Sequence, residues 1–279
     1  MKILVAGAKG QLGKEITKQF GRKYELILHD VDTLDIADYN AVDSVLQSLL
    51  PNVVINAAAY TNVEKAEEDT DQAFIINAIG AQNLALAAKK IQAKLFQIST
   101  DYVFDGLKVS PYHEFDNPAP LSVYGKSKLW GELLVKQTSV NCFILRTSWL
   151  YGDGHNFVRT MLRLAEQKDE LSVVADQYGT PTYTKDLVWV IDKLMPTDFY
   201  GMYHASNNGI CTWYNFAKKI FTFAGKTLNV KPLSTAEYPN KAQRPMYSVM
   251  ENRMLHLRGF NVMRSWEEAL QDYINNGCR

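Results

Sequence analysis

The sequence has no surplus of charge of either sign, since 30 lysines and arginines balance 30 aspartates and glutamates. A broad basic surface for nucleic acid is therefore excluded as the basis of its function. It is also poor in cysteine. The three, Cys142, Cys211 and Cys278, are odd in number, scattered and without CxxC spacing. That argues against a disulfide framework and for a reducing, cytoplasmic setting. Long apolar runs are missing: stretches such as Ile3–Ala8 fall far short of a membrane span. Lys2 followed by so brief a run is also too short for a signal peptide. The five histidines, His29, His113, His155, His204 and His256, show neither HxxxH nor HxxE spacing, so no metal site is expected. No internal repeat, low-complexity tract or clean linker interrupts the chain. A soluble protein that binds neither nucleic acid nor membrane is expected.

What is present is an ordinary globular mixture, 47% hydrophobic and 22% charged over 279 residues, enough for two domains or one large α/β unit. In the first half, strand-length apolar runs recur at Lys2–Ala6, Glu25–Leu28, Val53–Asn56, Leu95–Ser99 and Cys142–Arg146. Helical patterns lie between them. One covers Ala41–Leu49, with Asp38 as N-cap and Pro51 as stop; Asp71–Lys90 and Ser122–Lys136 are two more. The alternation predicts an α/β fold, a Rossmann-like doubly wound parallel sheet covered on both faces. After about Arg146 the pattern loosens. Helices are expected at Asn156–Glu166, Lys185–Leu194, Trp213–Phe223 and Ser265–Ile274, joined by proline-containing segments. The expected division is a dinucleotide-binding domain over 1–150 and a smaller, partly helical C-terminal substrate lobe over 151–279. Some elements of that lobe return to the first domain.

The first strand runs directly into Gly7-Ala8-Lys9-Gly10-Gln11-Leu12-Gly13, which opens the first helix. Glycines there serve a tight turn, close approach of backbone to a pyrophosphate, and close helix–sheet packing. The helix N-terminus adds free N–H donors and a partial positive charge. The spacing is GxxGxxG rather than GxGxxG, but its place in the first strand–helix joint supports dinucleotide binding. Asp30 ends the second strand, where a carboxylate can accept from the hydroxyls of the adenosine ribose. A 2′-phosphate would be repelled there, so NADH is expected to be modestly preferred over NADPH. Lys9 pulls the other way. Gly125-Lys126-Ser127 resembles the tail of a P-loop but has Pro120 where that motif needs glycine, and no strand before it; nucleotide hydrolysis is rejected.

Tyr124 and Lys128 stand four residues apart, on one face of a predicted helix. A nearby ammonium favours the phenolate and brings a tyrosine toward useful acid–base range. A second such pair, Tyr214 and Lys218, sits among aromatics at helical spacing and reads as packing. Position separates the two. Tyr124 follows the fourth strand, which ends Ile98-Ser99-Thr100-Asp101, and ligands of parallel sheets bind at strand carboxyl ends. Thr100 there can donate to a substrate carbonyl as charge develops on it.

The glycine loop, Asn56-Ala57-Ala58-Ala59, Thr100 and the Tyr124/Lys128 pair together resemble the extended short-chain dehydrogenase/reductases. Four blocks are similar to the dTDP-4-dehydrorhamnose reductases within them: Ser99–Gly106, Tyr124–Lys128, Arg146-Thr147-Ser148-Trp149 and Asp176–Thr182. The resemblance covers nearly the whole chain, as far as Arg244-Pro245. It implies reduction of the C4 ketone of dTDP-4-dehydro-L-rhamnose with NADH or NADPH. In it Tyr124 is the general acid, Lys128 orients the cofactor and tunes Tyr124, and Thr100 polarises the carbonyl. It also implies cofactor contacts at Asp35, Ile36, Ala58, Ala59, Tyr60 and Thr61, and substrate contacts at Asp101 and Trp149. Arg244 is expected either at the substrate diphosphate or in a surface ion pair. Competing readings are an epimerase or dehydratase on the same fold, and a non-enzymatic regulatory subunit, since the methionine adenosyltransferase regulatory subunit also resembles the family. A homodimer is compatible with the resemblance. Some members bridge a dimer through metal-bound glutamates, but Glu15, Glu267 and Glu268 read as solvated helix faces. The cluster Glu64, Glu67, Glu68 and Asp69 reads as a solvated helix start.

Overall fold

A computed structural model of the chain describes residues 1–138, 141–239, 241–260 and 263–277; Cys278 lies outside them. The strands are β1 (Lys2–Ala6), β2 (Glu25–His29), β3 (Val53–Asn56), β4 (Lys94–Thr100), β5 (Cys142–Thr147), β6 (Leu150–Tyr151), β7 (Glu170–Val174), β8 (Tyr178–Gly179), β9 (Thr182–Tyr183), β10 (Gly201–His204), β11 (Cys211–Thr212) and β12 (Asn229–Leu233). The α-helices are α1 (Gln11–Phe20), α2 (Tyr39–Leu49), α3 (Val63–Ala66), α4 (Thr70–Phe74), α5 (Ala81–Lys90), α6 (Val123–Thr138), α7 (Phe157–Ala165), α8 (Thr184–Leu194), α9 (Trp213–Phe223), α10 (Arg253–Leu257) and α11 (Trp266–Asp272). No described helix is long and apolar enough to cross a membrane.

Six strands form one parallel sheet in the order β10-β5-β4-β3-β1-β2. Side chains alternate across it, which explains the two-sided core. Ile3 and Val5 of β1 pack toward Leu12 and Ile16 of α1 and Leu187 and Ile191 of α8. Leu4 and Ala6 of the same strand pack toward Val42 and Leu46 of α2 and Leu84 of α5. Both faces being covered, β3 and β5 are buried throughout. The order reverses between β1 and β3, and a crevice opens at such a switch point, beyond the strand carboxyl ends.

The N-cap of α2 is Asp38, which accepts from the backbone of Asn40 and Ala41. The helix ends at Leu50, in the left-handed region (φ 47°), before Pro51. The expected continuous helix over 71–90 is interrupted: Ile75–Gly80 is π-helical between α4 and α5. That wider turn carries Asn77, whose contacts are described below. Glu15 is also not solvated. It is 4% exposed and accepts from Gln19, whose amide also donates to the Lys185 carbonyl of α8.

The chain after residue 150 supplies β10 and α8 to the first core. Leu255 of α10 joins that core too, while α7, α9 and α11 enclose a separate aromatic-rich core around Tyr151, Phe216 and Trp266. Three small sheets, β6 with β9, β7 with β12 and β8 with β11, brace that lobe.

Candidate active site

One cleft of about 1160 Å³ lies at the carboxyl ends of the strands and runs between the glycine loop and the second lobe. Gly7 (φ +82°) packs so closely on the next strand's loop that a Cβ would lie 2.6 Å from the Ala58 nitrogen. A Cβ on Gly13 would lie 2.3 Å from the Gly7 carbonyl oxygen, so this glycine seats α1 against the loop rather than facing the cleft. Gly10 is the N-cap of α1 and provides no side-chain cap. The helix's first N–H groups are thereby left for an anion. Gln11 and Leu12 line the same wall, and the Gln11 Oε1 is buried without a hydrogen-bond partner. These features fit a dinucleotide.

Asp30, Asp35 and Ile36 form the far end of this wall. Asp30 Oδ2 accepts from the Lys9 N–H at 2.8 Å and its Oδ1 from the Val31 N–H at 2.9 Å. The Lys9 ammonium is 2.6 Å from Asp32. Opposite lies the Ala58-Ala59-Tyr60-Thr61 turn. Asn77 fixes it: Oδ1 accepts from the Tyr60 N–H at 2.8 Å, while Nδ2 donates to the Tyr60 carbonyl and to Ser127 of α6. Nothing in the local pattern marks Asn77, which lies in an alanine-rich helical stretch.

Tyr124 lies in the first turn of α6, and two contacts bring it to the end of β4. A Cβ on Gly125 would lie 2.2 Å from the Tyr102 carbonyl oxygen, so the glycine lets α6 touch the turn after Thr100. Glu67 accepts from the Val123 N–H at 2.8 Å, capping α6 from another element. The Tyr124 ring meets Tyr102 edge-on at 5.5 Å, and Tyr124 and Thr100 line the same cleft. Burial, opposed by the nearby Thr100 side chain, holds the phenol well above its usual range. It is therefore protonated, as an acid must be.

Lys128 is buried and donates to the Ile98 carbonyl at 2.7 Å. Burial, opposed by Glu132 one turn on, lowers it to about 8. The expected lowering of Tyr124 by this ammonium gives way to burial, with Asp101 and Tyr102 also acting to raise the phenol. Beneath, Glu132 accepts from Ser99 at 2.6 Å and from Arg146 at 2.8 and 2.7 Å. This buried carboxylate–guanidinium pair ties α6 to β4 and β5.

Elsewhere in the cleft Trp149 (φ 45°) stacks on Trp213 at 3.6 Å, an aromatic partner that helical spacing alone assigned to packing. Both line the cleft, and Gly179 leaves room for the Trp149 ring. Asp101 lines the floor. Arg244 lines the rim and pairs with Glu64 at 2.8 Å. The acidic cluster is thus not simply solvated: Glu64 also accepts from the Lys241 and Ala242 N–H groups, Glu68 pairs with Lys241, and Asp69 accepts from Tyr60. Tyr214 packs on the second lobe's core, with the Lys218 ammonium 5.3 Å from its ring.

Residues 1–278 match the family described as RmlD substrate binding domain. The chain is 46% identical to the spore coat polysaccharide biosynthesis protein SpsK of Bacillus subtilis, over 98% of this chain and 96% of that one. The crystal structure of a dTDP-4-dehydrorhamnose reductase from Clostridium acetobutylicum superposes with a TM-score of 0.97 at 51% identity, covering 99% of each chain. That of dTDP-4-dehydrorhamnose reductase from Bacillus anthracis, in complex with NADP, does so with a TM-score of 0.97 at 48% identity, covering 98% of each. The chain belongs to this family, the RmlD-type extended short-chain dehydrogenase/reductases.

Proposed function

We propose that this protein reduces the C4 ketone of dTDP-4-dehydro-L-rhamnose to give dTDP-L-rhamnose, using NADH or NADPH with NADH modestly favoured. The observation that carries the reading is the meeting of a protonated Tyr124, Thr100 and Lys128 on the floor of a cleft whose other wall is the glycine loop. Gly7, Gly10, Gln11, Leu12, Asp30 and the 58–61 turn would hold the dinucleotide, which supplies hydride when bound. Tyr124 gives its proton to the carbonyl oxygen as the ketone carbon is reduced, and Lys128 holds the nicotinamide ribose. Trp149 and Asp101 contact the sugar. Arg244 exchanges Glu64 for the diphosphate, a stronger bidentate partner. Extensive identity to proteins bearing the reductase name favours this reading over an epimerase, and the intact Thr100, Tyr124 and Lys128 set favours chemistry over a regulatory role.

The test is NADH oxidation with dTDP-4-dehydro-L-rhamnose. The expected result is one cofactor oxidised per sugar reduced; an epimerase would consume none. Tyr124→Phe should lower turnover by about 10²–10⁴, the span of a general acid, and Tyr214→Phe should leave it unchanged. Equal losses in both variants would put the active site elsewhere.

A further inference from the structure

Trp149 has a left-handed backbone (φ 45°), which a bulky residue adopts only where its surroundings impose it. The adjoining backbone is tied down: Ser148 Oγ donates to the Thr180 carbonyl at 2.6 Å, and Leu150 pairs with Thr182 in the β6–β9 sheet. The indole itself is held from two further points. Trp213 stacks on it at 3.6 Å with the ring planes 8° apart, and Phe157 of α7 packs on Trp213 at 4.6 Å. Gly179 is buried, does not itself line the cleft, and is not in the left-handed region. A Cβ there would nonetheless lie 2.4, 2.5 and 2.8 Å from Cε2, Cζ2 and Nε1 of the Trp149 ring, the three nearest atoms. Both supports come from one short sheet. Gly179 of β8 pairs with Cys211 of β11, and Thr212 of β11 caps α9, whose first residue is Trp213.

We propose that Gly179 and Trp213 are positioning residues for sugar binding, which hold the Trp149 indole in the cleft wall from β8 and α9. The inference rests on the function proposed above, in which Trp149 contacts the sugar. A flat indole face suits the C–H face of a sugar ring, and it binds best when the ring is fixed before the ligand arrives. Trp213 fixes it by covering it with a parallel ring. Gly179 fixes it by omission, since its missing side chain is the space that the ring edge occupies. Alanine fits the backbone at 179, so the requirement for glycine comes from the ring and not from the turn. Moving the indole should therefore weaken the hold on the sugar while leaving the glycine loop and Tyr124, which stand on other elements, untouched.

The experiment is a pair of double-mutant cycles, read by calorimetric titration with dTDP-L-rhamnose and by steady-state kinetics with the ketone. Gly179→Ala should raise the Kd for dTDP-L-rhamnose and the KM for the ketone about tenfold, the worth of one well-placed aromatic contact. Its kcat should be nearly unchanged, as for a loss of binding shared by ground and transition states. NADH affinity, read by its fluorescence, should also be unchanged. On a Trp149→Ala background the same substitution should add almost nothing, because the ring it strikes is gone. Trp213→Ala should behave likewise, and Trp213→Phe, which keeps a flat ring, should recover most of the affinity. Losses that add in full on the Trp149→Ala background, no loss from Trp149→Ala itself, or a fall in kcat with KM unmoved would overturn the positioning alone. Should Gly179→Ala not fold, the Trp213 cycle decides by the same criteria. A wild type that neither binds dTDP-L-rhamnose nor oxidises NADH with the ketone would overturn the proposed function as well.

Discussion

Asp30 directly follows β2, with both carboxylate oxygens accepting backbone N–H groups, one of them from Lys9 of the glycine loop. The residue therefore shapes the loop and places negative charge where the adenosine ribose is expected. Bare Coulomb repulsion between two charges about 4 Å apart is about 4 kcal/mol at an effective dielectric near 20. Solvent screening at an open cleft reduces that to about 1–2 kcal/mol, roughly five- to thirtyfold against a 2′-phosphate. Lys9 is the counterweight, but it is engaged with Asp32 and must leave that exposed pair to meet a phosphate. Measured as kcat/KM with each cofactor, Asp30→Asn should shift the ratio toward NADPH and Lys9→Ala should shift it toward NADH. A tenfold NADPH preference in the wild type that Asp30→Asn fails to move would show that Asp30 does not read the ribose.

At the scale of elements, α6 carries Tyr124 and Lys128 and is positioned from outside itself. Its first N–H is satisfied by Glu67, across 56 positions of sequence. Loss of such a cap costs about 1 kcal/mol, or about 2 °C in melting temperature for a chain of this size. Glu67→Ala should show that loss and a lower kcat, since the freed turn holds Tyr124, whereas Glu67→Gln keeps an acceptor and should recover most of both. Equal behaviour of the two variants in melting and turnover assays would mean that the cap is not what positions Tyr124. This contact also marks where sequence reasoning stops. β1 and β3 coincide with their apolar runs residue for residue, because strands buried on both faces must be continuously apolar. The glycine loop, Thr100, Tyr124 and Lys128, which line one cleft, could be picked out because each is marked by short-range spacing. β10 was not: Gly201–His204 is four residues long, begins with glycine, and becomes a strand only because β5 offers an open edge. The roles of Asn77, Glu67 and Glu64 were likewise invisible, since each depends on a partner distant in sequence.

For the whole molecule, β10 closes the sheet with residues from the second half of the chain, and His204 at its end fastens that junction. Its backbone N–H donates to Glu114 at 2.8 Å, and its Nδ1 lies 3.1 Å from the Glu251 carbonyl. Its Nε2 is buried without a partner, and the ring packs edge-on to Phe104. Burial, reinforced by the nearby Arg146 charge, lowers the imidazole from 6.5 to about 3. Above pH 6.5 the ring is neutral in both folded and unfolded chains and stability is indifferent to pH on its account. Below that, the unfolded chain takes up a proton that the folded one refuses, so stability falls with pH until the folded ring titrates. Between pH 6.5 and about 4.5 the loss should be about 2–3 kcal/mol. The buried carboxyls Asp101 and Glu114 act in the opposite sense, because burial raises them and neutral acid favours the fold as pH falls. Total stability is therefore a poor measure of His204, and the comparison must be made between variants. His204→Asn retains an N–H for the Glu251 carbonyl and cannot charge in this range. Its smaller side chain lowers stability by an amount that does not vary with pH, so the slope isolates the imidazole. Urea denaturation across this window should show the wild type losing stability toward acid more steeply than His204→Asn, by about that 2–3 kcal/mol. Equal slopes would mean that the imidazole is charged or solvated in the native protein, and that β10 is held by its strand pairing alone.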